Sequence, residues 1–131
     1  SGYGILDAVE QYTVKVQSTT KEMLVKKSEA YELQVTAGNL KKGQTKIVSV
    51  AVNPEELQIQ NASSFEEEEA LKEGADGVTL LKYQPEKGVL VLKLTGSLER
   101  GESYETYQSI PVEGKIDGKT RVEITLTHKK E

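Results

Sequence analysis

The chain has 131 residues, 36% hydrophobic and 29% charged, with a formal net charge of −4. That length suits one domain with one core, and the scatter of Lys and Arg among apolar residues in an acidic chain argues against a nucleic-acid partner, which needs clustered basic residues. Cysteine is absent, which excludes disulfides, thiolate metal sites and cysteine nucleophiles, and no apolar run reaches the roughly 18 residues of a membrane-spanning helix, so no membrane insertion is expected.

Residues 1–10 carry Ile5, Leu6, Ala8 and Val9 without a sustained period. They read as a linker or the cut edge of a longer chain, ahead of a domain over 11–128. Tyr12, Val14 and Val16 alternate with Thr13, Lys15 and Gln17, the period of a half-buried strand. Ser18-Thr19-Thr20 reads as a turn and residues 22–28 as a short edge strand. Tyr31, Leu33 and Val35 alternate with Glu32, Gln34 and Thr36, and Ala37-Gly38-Asn39 breaks the pattern. Lys42-Gly43-Gln44 makes a tight turn into an apolar strand over 45–52. These two strands are expected to be antiparallel neighbours. Asn53-Pro54 ends the second, because proline lacks the ladder donor, and Leu57 and Ile59 begin another.

Residues 61–77 break the rhythm. Ser63-Ser64 offers an N-cap, Glu66 to Glu69 suit the positive end of a helix dipole, and Gly74 suits a C-cap. One short helix or loop insertion is expected. Val78, Leu80, Leu81 and Tyr83 form a strand, and Gln84-Pro85-Glu86-Lys87-Gly88 turns it into Val89-Leu90-Val91-Leu92-Lys93-Leu94, bounded by Gly88 and Gly96. That apolar run reads as a central strand covered on both faces or nearly so. A long strand region follows over 104–116, interrupted at Pro111, which suggests an edge or a bulge. Asp117-Gly118 then predicts a tight hairpin to the alternating strand over 120–127. Residues 128–131 read as a solvated tail.

The sum is an all-β sandwich of eight or nine short antiparallel strands. Val89, Val91, Leu33, Val35, Val50, Val122 and Ile124 are expected in one core.

The order of these features resembles cohesin-like and related immunoglobulin-like modules of bacterial extracellular proteins. The resemblance spans roughly residues 31–127. It is carried by Tyr31-Glu32-Leu33-Gln34-Val35-Thr36-Ala37, by Asn53-Pro54-Glu55-Glu56-Leu57-Gln58-Ile59, by the strand after Gly88, and by the closing segments 110–116 and 120–126 joined through Asp117-Gly118-Lys119. Val52-Asn53-Pro54 stands where such modules carry a Tyr-Asp-Pro step. The resemblance implies an immunoglobulin-like or cohesin-like fold. It also implies a non-catalytic accessory or adhesion-type role at the cell surface or outside the cell. The partner would be another protein or a polysaccharide, and the isolated module a monomer.

The residues themselves point to little chemistry. His128 is the only histidine, so a histidine triad or multi-histidine metal site cannot form within one chain. As a lone terminal histidine it reads as a surface residue. Glu66 to Glu69 read as a solvated helix start, since calcium loops space their oxygens at alternating positions. Twenty-one acidic residues supply carboxylate pairs by chance, but no tryptophan supplies a sugar platform. No catalytic residue, metal site or cofactor is therefore assigned. Lys15, Lys46, Lys93 and Lys115 read as a plain charged strand face. Phe65, Tyr83, Tyr104 and Tyr107, on or beside the irregular stretch, are the candidate ligand-binding residues. Tyr104 and Tyr107 differ by three and point to opposite faces of an unbroken strand. A carbohydrate-binding module and a ligand-free spacer are the alternative readings.

Overall fold

A computed structural model describes residues 14–60, 77–96, 99, 101 and 106–129. Eight strands are described: β1 (Val14–Val25), β2 (Ala30–Gly38), β3 (Thr45–Val52), β4 (Leu57–Ile59), β5 (Val78–Gln84), β6 (Val89–Thr95), β7 (Thr106–Gly114) and β8 (Gly118–Lys129). They form a five-stranded sheet of order β1-β8-β3-β6-β5 and a three-stranded sheet of order β2-β7-β4, with every pairing antiparallel. The protein is an all-β sandwich. The helix or loop expected over 61–77 falls, except for Gly77, outside the described residues, as does the segment 1–10.

The core lies between the sheets. Val48, Val50, Leu90, Leu92, Val122 and Ile124 face it from the larger sheet, and Leu33, Val35, Leu57, Ile59, Ile110 and Val112 from the smaller one. Burial of these aliphatic side chains, at about 1.5–3 kcal/mol each, is the main stabilising term. The central-strand expectation holds for β6, which sits between β3 and β5. Its phase is corrected: Leu90, Leu92 and Leu94 are buried, while Val89 and Val91 are half-buried on the outer face beside Lys93.

Winding is where the structure departs most from the expected neighbours. β2 and β3 lie in opposite sheets and do not pair. The connection between them, residues 39–44, is longer than a tight hairpin loop and drives Leu40 into the core. Asp117-Gly118 likewise joins strands of different sheets, β7 and β8, so no hairpin forms there. β1 and β2 also divide between the sheets. Ser18, Thr19 and Thr20 do not turn; β1 runs through them, paired residue for residue with Thr125, Ile124 and Glu123. The hairpin at Gln84 to Gly88 forms as expected, with β5 and β6 paired on either side.

Pro111 lies in the central strand of the smaller sheet rather than at an edge or bulge. Its carbonyl accepts from the Gln60 amide at 2.8 Å. A residue's N–H and C=O point to the same side of a strand, so the missing donor faces Gln60, one residue past the end of β4. The proline is tolerated because the neighbouring strand stops there.

Gly88 locks the β5–β6 hairpin to β3. Its φ is +70°, and an added Cβ would lie 2.1 Å from the Val52 carbonyl oxygen. The Val52 amide donates to the Gly88 carbonyl at 2.8 Å. Only glycine meets both the left-handed backbone and the close approach.

Candidate functional site

The two ends of the sandwich differ. At one, the β1–β2, β3–β4 and β7–β8 connections are tied together. The Ser28 amide, in a residue with φ of +69°, donates to the Gly114 carbonyl at 2.8 Å, and the Gly114 amide donates to the Glu29 carbonyl at 2.9 Å. The Lys27 amide donates to Asp117 Oδ1 at 3.0 Å, and the Lys26 amide to the Tyr31 hydroxyl at 2.9 Å. Asn53 shapes the step into β4: its carbonyl accepts from the amides of Glu56 and Leu57, and its side chain from that of Glu55. Glu56 then accepts from the Lys115 amide through its backbone and from Thr120 Oγ1 through its carboxylate. These bonds satisfy backbone groups across three connections and leave that end closed.

The other end carries a cleft among its described residues. The cleft, of about 240 Å³, is lined by Gln17, Asn39, Leu40, Gln44, Lys46, Leu126 and His128. Its charged and aromatic groups come from strand positions. Lys46 has the parity of Val48, Val50 and Val52 and therefore points to the inner face, past the end of the core. His128 likewise continues the inward set Val122, Ile124 and Leu126, and stands directly across from Lys46. Lys46 Nζ donates to the Ala37 carbonyl on β2 at 2.6 Å and so bridges the two sheets at the cleft. The Gln44 side chain is held by the Lys41 amide, which donates to its Oε1 at 2.9 Å. His128 Nδ1 is buried and has no hydrogen-bond partner, which is uncommon for a buried polar atom.

His128 is therefore no tail residue, and the four lysines do not share a face. Lys46 points inward; Lys93 points outward beside Val89 and Val91; Lys115 lies in the β7–β8 connection. Sequence reasoning missed both cleft residues. The available signal was parity: Lys46 and His128 each extend the alternating apolar set of their own strand by one step.

Of the four candidate binding residues, Phe65 and Tyr104 lie outside the described residues. Tyr83 is on the inner side of β5, packed against the core, with its hydroxyl donating to the Ile59 carbonyl of the opposite sheet at 3.3 Å. It works as a clamp between sheets. Tyr107 stands across from Thr36 on the outer face of the smaller sheet and is 51% exposed. The structure does not bring Tyr83 and Tyr107 together. Among the described residues no group of three or more His, Asp or Glu side chains is placed to hold a metal ion.

No family model, curated protein or solved structure matches the chain.

Proposed function

We propose that this chain is a non-catalytic binding module, of the cohesin-like or immunoglobulin-like accessory kind, within a bacterial secreted or cell-surface multidomain protein. The cleft beside Lys46 and His128 carries the reading. It is a concave site on a rigid frame, with a few polar groups over an aliphatic floor of Leu40 and Leu126, the usual build of a small-ligand site. Its lining holds one imidazole and one ammonium but no hydroxyl, thiol or carboxylate among the described residues, so it suits holding a ligand more than transforming one. The surface and extracellular setting rests on the resemblance of residues 31–127 to such modules.

The test is a screen of the purified module against arrays of neutral and acidic glycans and against extracellular protein fractions, repeated with Lys46→Ala. The reading expects a ligand that the variant loses. Retention by the variant would move the site elsewhere. A screen without any ligand would favour the spacer reading, which the tied loops at the closed end would also serve.

A further inference from the structure

We infer that the cleft recognises a carboxylate, and that its ligand is a hydroxylated acid of about monosaccharide size, as a uronic acid is. This rests on the reading of the cleft as the binding site and adds the chemistry of what it takes.

The pairing of β8 and β3 places His128 and Lys46 at directly opposed positions of one cross-strand row. Directly opposed residues on one face lie roughly 4.5–5.5 Å apart. The Lys46 ammonium therefore stands beside an imidazole and not beside a carboxylate. The next row towards the core is Gln17, Leu126, Val48 and Leu92, and the one after it is Thr19, Ile124, Val50 and Leu90. Neither row contains an acid. In the β2–β3 connection beside the cleft, the ion pair described joins Lys42 to Glu99 at 3.5 Å, not to Lys46. Among the described residues, none of the side chains that line the cleft is a carboxylate.

Two further observations give the row a ligand's geometry. Lys46 gives one hydrogen bond to Ala37, which fixes the ammonium at the cleft wall, and an ammonium has three donors. His128 has its Nδ1 sealed away without a partner, so the ring meets a ligand through its other nitrogen. A carboxylate between the ammonium and the ring would accept from both through charge-assisted hydrogen bonds. Around it, Gln17 and Gln44 supply amides suited to hydroxyls, and Leu40 and Leu126 an apolar floor suited to the C–H face of a ring. The volume, about 240 Å³, is below the roughly 300–1,000 Å³ of drug-sized sites and fits one sugar-sized group.

The chain's single histidine makes the test direct, because its imidazole C–H signals in an NMR spectrum need no assignment. The full chain is titrated with sodium glucuronate, with glucose, and with sodium chloride at matched ionic strength and fixed pH. A saturable shift of the His128 signals with glucuronate, absent with glucose and chloride, is expected. Lys46→Met, which keeps the aliphatic stem, should weaken glucuronate binding by about tenfold or more, the scale of a lost charge-assisted hydrogen bond, and Lys46→Arg should restore most of it. If Lys46→Met melts early, His128→Gln replaces it, with several-fold weakening expected by calorimetry. Equal shifts with glucose and glucuronate would overturn carboxylate recognition while leaving the module reading standing. No saturable shift with either sugar would also overturn it, and the ligand screen would then decide the module reading separately.

Discussion

Thr120 donates its hydroxyl to the Glu56 carboxylate at 3.0 Å, across 64 residues of sequence and between β8 and the β3–β4 connection. Thr120 is 3% exposed and is the buried polar side chain of the described core. Glu56 also accepts from Lys115 through its backbone, so one residue ties β8 and the β7–β8 connection to the start of β4. Thr120→Val keeps the shape and removes the donor. It should cost about 1.5–3 kcal/mol, as for a hydrogen bond to a charged group. Thr120→Ser should keep most of the stability. Urea unfolding of both variants measures the difference, and equal losses would show that the methyl group rather than the bond is what matters.

The phase of β6 gives a second prediction. Leu92 is fully buried, and Leu92→Ala should cost about 2–5 kcal/mol through lost transfer energy and the cavity left behind. Val91 is half-buried on the outer face, so Val91→Ala should cost less than about 1.5 kcal/mol. Chemical denaturation of the pair checks the assignment. A larger loss at Val91 would put the strand in the opposite phase.

Gly88→Ala and Gly43→Ala separate backbone strain from collision. Both glycines have positive φ, +70° and +88°, but only the first meets the Val52 carbonyl, while nothing lies within 4 Å of a Cβ on the second. Gly43→Ala should cost about 1 kcal/mol, the lower end for a left-handed residue other than glycine. Gly88→Ala should cost more than that by at least about 1 kcal/mol, because backbone must also move. Thermal melts of the two variants compare them directly, and equal shifts in Tm would contradict the close approach.

The architecture was legible where a pattern is local. Alternation at Leu33 and Val35, at Val50, and at Val122 and Ile124 marks core faces, because a half-buried strand needs that period. The proline-containing stretch Gln84 to Gly88 marks a hairpin because its turn residues sit between paired strands. Val89 to Leu92 carries no phase by itself, being apolar at every position; Lys93 supplies it, since a lysine facing outward puts Val91 and Val89 on its own side. Partner choice was not legible. Nothing in the sequences of β2 and β3 says that they lie in different sheets, except that Leu40 is a large apolar residue in the middle of their connection. Asp117-Gly118 has hairpin chemistry, but Asp117 uses its carboxylate to accept from Lys27 in the β1–β2 turn instead. The cleft was hidden for a similar reason. Lys46 and His128 are 82 residues apart in sequence and meet only through the β3–β8 register.

Tyr107 gives a prediction that distinguishes surfaces. It is half exposed on the outer face of the smaller sheet, so Tyr107→Ala should change stability by no more than about 0.5 kcal/mol. With ligand binding located at the cleft, the same variant should bind as the parent protein does in calorimetric titration. A folded Tyr107→Ala protein that loses binding would transfer the site to the outer face.

The most direct test of the cleft as the binding site is a map of backbone amide shifts during titration with glucuronate. Saturable changes centred on Gln17, Asn39, Gln44, Lys46 and His128, with Thr36 and Tyr107 unmoved, are expected. Changes centred on Thr36 and Tyr107, or small changes spread over both sheets without saturation, would contradict it.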